Sequence, residues 1–91
     1  MQDTTKISVR KRLNRVEGQV RGLSRMVDED RYCVDIVTQI AAVKAALRRI
    51  EEVVLADHVS HCVAEAIASG DPAAQREKVD ELMALLGRAD R

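Results

Sequence analysis

RYCVDIVTQIAAVKAALRRIEEVVLADHVSHCVAEAIAS, residues 31–69, decides the fold. These 39 residues hold both cysteines, Cys33 and Cys62, and both histidines, His58 and His61. They contain no Gly and no Pro, the two residues that most reliably interrupt a helix. As one helix the stretch would be roughly 58 Å long at 1.5 Å per residue. A compact globule of this chain length has a radius of gyration of only about 12–13 Å. The helix therefore outruns any core that one chain can wrap around it, and a partner chain is the remedy.

Within that helix Cys33, Ile36, Ile40, Val43, Leu47, Ile50 and Val54 step by three and four, the spacing of a bundle seam. Working outward, a first helix is expected from about residue 6 to 27, after polar and loose residues 1–5, with Thr4, Thr5 or Ser8 available as its cap. Leu13, Val16, Val20, Leu23 and Val27 give it the same period. Gly18 and Gly22 sit inside it, each costing about 1 kcal/mol of helix propensity relative to Ala. They either permit close approach of another helix or of DNA backbone, or are merely tolerated small residues. Asp28, Glu29 and Asp30 break the pattern and stand where they can cap the long helix. The short link makes the first two helices an antiparallel hairpin. Ser69-Gly70-Asp71-Pro72 is the next break, reading as terminal Gly, Asp cap and Pro at the first helical position. A third helix over about residues 72–86 follows, with Val79, Leu82, Met83 and Leu86 on one face and Gly87 as its stop. The chain reads as one all-α domain over residues 1–91, without internal repeats.

Composition narrows the function. Tyr32 is the only aromatic residue, which argues against a stacking platform for single-stranded nucleic acid. No apolar run reaches membrane-spanning length, and the first residues lack a charged-then-apolar signal pattern, so a cytoplasmic protein with no membrane partner is expected. In that reducing compartment two cysteines point to metal or redox-sensor chemistry more than to a structural disulfide. The net charge of zero hides an asymmetry. Residues 1–27 carry seven cations against Asp3 and Glu17, a net +5. Such a segment is either a solvated helix face or a surface for a polyanion, and dimerisation would double it. No nucleophile–base–orienter set is present, so an enzyme is not expected.

Projected at 100° per residue, His58 lies about 20° to one side of the Cys33 azimuth and Cys62 about 20° to the other. His61 falls about 80° away. Along the axis, however, Cys33 and His58 are separated by roughly 38 Å, whereas a metal ligand lies about 2 Å from its ion. They can meet only across two antiparallel copies, Cys33 of one beside His58 and Cys62 of the other. The crossing falls near Ala41, Ala42, Ala45 and Ala46, small residues that let helices approach closely. A two-fold dimer then makes two identical sites. Two thiolates and one imidazole suit Cu(I), or Zn(II) with a fourth ligand. The residues alone leave a second reading open, with Cys33 a small seam residue and His58 a surface histidine.

Arg12-Leu13-Asn14-Arg15-Val16-Glu17-Gly18-Gln19-Val20-Arg21-Gly22 resembles the N-terminal helix of the copper-sensing repressor (CsoR) family. So do Arg25-Met26-Val27-Asp28-Glu29-Asp30-Arg31-Tyr32-Cys33, Thr38-Gln39-Ile40-Ala41-Ala42-Val43 and His58-Val59-Ser60-His61-Cys62. The resemblance covers most of residues 8–70. It implies three-helix chains that form antiparallel helical-bundle dimers and then dimers of dimers, without a helix-turn-helix. It also implies Cu(I) ligation by Cys33 of one subunit and by His58 and Cys62 of the other, with Tyr32 and Glu81 as outer-shell partners. Relatives that sense nickel and cobalt carry His where this chain has Cys62, and formaldehyde sensors lack the second thiol.

The function implied is a transcriptional repressor that binds double-stranded operator DNA when metal-free and is released by Cu(I), derepressing copper efflux or sequestration genes. Arg12, Arg15 and Arg21 of the first helix, with Lys44, Arg48 and Arg49 of the second, are the expected phosphate contacts. A persulfide-sensing repressor using Cys33 and Cys62 is the competing reading, and His58 tips the balance to copper. A helical copper buffer without a DNA role is the third.

Overall fold

The computed structural model describes residues 1–89. The described chain is all-α, with α1 spanning Asp3–Asp28, α2 Cys33–His58, a π-helical turn Val59–Val63, α3 Ala64–Ser69 and α4 Pro72–Ala89. It resolves into two compact units, residues 1–55 and residues from 56 onward.

In the first unit the expected hairpin forms. Val9, Val16, Val43 and Ile50 make its buried cluster, with Leu23, Ala46, Val53 and Val54 packed against it. Mostly alternate members of each seam are used, Val54 near the end of α2 being the exception. In α1 Val16 is buried and Leu23 half-buried, while Leu13, Val20 and Val27 remain 43%, 46% and 58% exposed. In α2 Val43 and Ile50 are buried, but Ile40 and Leu47 are exposed. Residues four apart on a helix differ by about 40° in azimuth, so the two sets form neighbouring stripes. One stripe closes the hairpin and the other stays open.

The helix ends differ from expectation in instructive ways. α1 starts at Asp3, not near residue 6, and Gln2 precedes it without a side-chain cap, so Thr4, Thr5 and Ser8 lie inside the helix. At its far end Arg31 N–H bonds Met26 C=O at 2.9 Å and Asp30 N–H bonds Val27 C=O at 3.1 Å, with Asp30 left-handed at φ 53°. That is a Schellman closure. The acids therefore end α1, and the carbonyl of Tyr32 accepts the third and fourth amides of α2, Asp35 N–H at 3.0 Å and Ile36 N–H at 3.2 Å.

In the second unit the expected break at 69–72 is realised. Gly70 is left-handed at φ +69°, and Asp71 Oδ1 accepts the Ala73 amide at 3.0 Å, capping α4 behind Pro72. Gly87 does not stop α4, which runs on to Ala89; a lone glycine costs a helix about 1 kcal/mol but breaks no hydrogen bond. The uninterrupted helix expected over residues 31–69 is instead α2, the π turn and α3, with helical backbone throughout and one wider turn inside it. Among the described residues no helix is long and apolar enough to cross a membrane.

Candidate metal centre and nucleic-acid interface

His58 is the last residue of α2 and stands against α4 within the second unit. Its Nε2 lies 2.7 Å from Oε1 of Glu81 and is buried, with the carboxylate set off the axis of an ideal ring hydrogen bond. The pair is thus a close polar contact rather than an aligned hydrogen bond. It occupies the Nε2 side of the ring and leaves Nδ1 on the side away from Glu81. Cys62 follows in the π turn and is half-buried with a free thiol.

Winding looser than 3.6 residues per turn rotates each residue through less than the α-helical 100°. The step from His58 to Cys62 then falls from about 400° toward a full turn, which brings the two side chains nearer one face. The same change carries His61 further away. Nε2 of His61 lies 3.9 Å from Oδ1 of Asp57.

Cys33 opens α2 in the first unit, with an exposed free thiol, and Tyr32 beside it is 68% exposed. Among the described residues of one chain, no three His, Cys, Asp or Glu side chains converge as a metal-binding group. His58 and Glu81 are the two candidate residues that the structure brings into contact.

Of the six proposed phosphate contacts, three come together. Arg12, Arg15 and Arg49 line a cleft of about 230 Å³ between α1 and α2, beside Gln19. Arg21, Lys44 and Arg48 do not line it. Arg21 pairs with Glu17 at 3.2 Å, and Arg49 pairs with Glu52 at 3.2 Å, both on exposed faces. A second hollow along α1 joins Lys11 to Arg12 and Arg15. Lys11 was absent from the expected set, although its spacing of four from Arg15 is the signal that finds it. A Cβ added at Gly18 would meet nothing within 4 Å, and one added at Gly22 would meet Arg25 Nη2 at 3.9 Å.

Comparison with known proteins matches residues 5–88 to the family described as metal-sensitive transcriptional repressor. The copper-sensing transcriptional repressor RicR of Mycobacterium tuberculosis is 53% identical over 78 residues, 86% of this chain and 80% of its own length. The copper-sensing transcriptional repressor CsoR of Bacillus subtilis is 56% identical over 66 residues, 72% of this chain and 65% of its own. The crystal structure of CsoR with Cu(I) from Geobacillus thermodenitrificans superposes with a TM-score of 0.89 at 40% identity, covering 100% of this chain and 92% of that one. The nickel-responsive regulator InrS also superposes, with a TM-score of 0.76 at 36% identity over 90% of this chain and 89% of that one. The fold thus serves responders to different metals, and it falls to the side chains to discriminate between them. The chain belongs to the metal-sensitive transcriptional repressor family, regulators rather than enzymes.

Proposed function

We propose that this chain is a repressor that binds operator DNA in the metal-free state and releases it when Cu(I) is bound by Cys33 of one copy and His58 and Cys62 of a second. The observation that carries the reading is the imidazole of His58, its Nε2 facing Glu81 at 2.7 Å and its chain neighbour Cys62 one turn on. Two thiolates and one neutral imidazole form a soft set that fits Cu(I). Cys33 of one copy and His58 and Cys62 of the other would hold the ion, whose ligation would tie the two copies together.

The chain's own residues do the rest. Glu81 holds the ring from behind, so Nδ1 is the free nitrogen. The exposed stripe of Leu13, Val20, Val27, Ile40 and Leu47 supports a homodimer, since a second hairpin would cover it and complete a four-helix core. A dimer of dimers follows the family resemblance. Arg12, Arg15 and Arg49, with Lys11 beside them, offer the duplex a basic cleft. A cytoplasmic location follows from the repressor's need to reach the genome.

The test is an anaerobic anisotropy titration. The probe is a fluorescent duplex selected from a random library on the metal-free protein. Stoichiometric Cu(I) releases it, while Zn(II), Ni(II) and a persulfide donor do not. Release by the persulfide donor alone would replace copper with sulfur sensing through Cys33 and Cys62. Copper binding with no salt-sensitive affinity for any duplex would replace the repressor with a copper buffer.

A further inference from the structure

Glu81 does not hold His58 unaided. Its two carboxylate oxygens have different partners: Oε1 lies 2.7 Å from Nε2 of His58, and Oε2 accepts from Nζ of Lys78 at 3.4 Å. The three side chains are 24%, 39% and 30% exposed for His58, Glu81 and Lys78, all within the second unit. For a lysine, whose head normally reaches into water, that is a low exposure.

We propose that Lys78 is a positioning residue for His58, acting through Glu81. The inference rests on the reading of His58 as a metal ligand. The terminal torsion of a Glu side chain is broad and roughly two-fold, so a carboxylate with one partner swings freely. Here the second oxygen is held by an ammonium one helical turn away, and the spacing of three puts Lys78 and Glu81 on the same face of α4. With Oε2 anchored, Oε1 stays against the imidazole. The fixed carboxylate selects the tautomer protonated at Nε2 and leaves Nδ1 bare.

Charge points the same way. Two thiolates and Cu(I) sum to one net negative charge, and Glu81 adds another behind the imidazole. The ammonium of Lys78 offsets the second without touching the ligands. Lysine suits the position because its head is a compact point charge that engages one oxygen and leaves the other to histidine.

The test uses the full chain and three variants. Lys78→Met keeps the length and the helix propensity and removes the charge; Lys78→Arg restores the charge; His58→Ala removes the ring. The first readout needs no metal. Ring ¹⁵N shifts of His58, recorded where the ring is neutral, report its tautomer. In Lys78→Met the two nitrogen shifts move toward each other, and in Lys78→Arg they return toward wild type. The second readout is Cu(I) affinity by chelator competition, expected to weaken about three-fold in Lys78→Met, the size of a half-exposed ion pair. Wild-type shifts and affinity in Lys78→Met, or an arginine variant indistinguishable from it, would overturn the role of Lys78. Undiminished Cu(I) affinity in His58→Ala overturns the ligand reading instead, and the tautomer readout still decides whether Lys78 orients the ring.

Discussion

Replacing Glu81 by Ala tests the link between α4 and the candidate metal centre. The wild-type contact joins Oε1 to Nε2 at 2.7 Å, a distance typical of a charge-assisted hydrogen bond. Such bonds are worth about 1.5–3 kcal/mol net when well aligned. This one is off-axis and its carboxylate is 39% exposed, so the lower end applies, about 1.5 kcal/mol. The contact exists before metal arrives, so only the part that strengthens on ligation of Nδ1 counts toward affinity. The full 1.5 kcal/mol is therefore a ceiling, equivalent to about ten-fold. Chelator competition under anaerobic conditions should find Cu(I) affinity reduced by about three- to ten-fold in Glu81→Ala. Glu81→Gln keeps the shape and one acceptor but loses the charge, and should fall between the two, since a neutral acceptor is about half as strong. Metal-free DNA affinity should be unchanged in both. If both variants match wild type in Cu(I) affinity and in copper-driven DNA release, the contact has no part in sensing.

Three further outcomes follow from the geometry. Leu47→Glu changes a residue that is 45% exposed in the single chain, so the hairpin should lose less than about 0.5 kcal/mol, but a charge in the open stripe should weaken dimerisation about ten-fold or more by sedimentation equilibrium. An unchanged dimer would show that the stripe is not the interface. Arg15→Ala should lower the slope of log affinity against log salt for duplex DNA by about 0.9, whereas Arg21→Ala, outside the cleft and paired with Glu17, should leave it near wild type. Equal effects would make the cleft irrelevant. Gly18→Ala should raise stability to urea by about 1 kcal/mol, because an added Cβ meets no other element. A fall in stability would reveal a second chain packed on that face.

Much of the fold was legible because it is written in local chemistry. The 3–4 spacing of apolar residues announced the helices, and Gly70-Asp71-Pro72 announced the break that the structure closes with a left-handed Gly70 and an Asp71 cap. The spacing of Cys33, His58 and Cys62 picked out the candidate ligands, since ligand type and helical azimuth are properties of the chain alone. Three features were not legible. The π turn at Val59–Val63 uses no Gly, Pro or other marker, and its wider winding is a choice of backbone hydrogen-bond register. Asp30 closes α1 in a conformation that glycine more often takes, so its sequence read as a cap for the next helix.

The division of each seam into a buried and an open stripe was hidden as well, because a period of three and four is the same whether both stripes face one partner or two. The sequence by itself determined which residues are helical and which carry thiolate, imidazole and charge. Tertiary structure alone decided that Oε1 of Glu81 meets His58 while Oε2 meets Lys78, and that Arg12, Arg15 and Arg49 share a cleft. The reason is physical: helical periodicity fixes azimuth within an element, but distance between elements depends on how they pack.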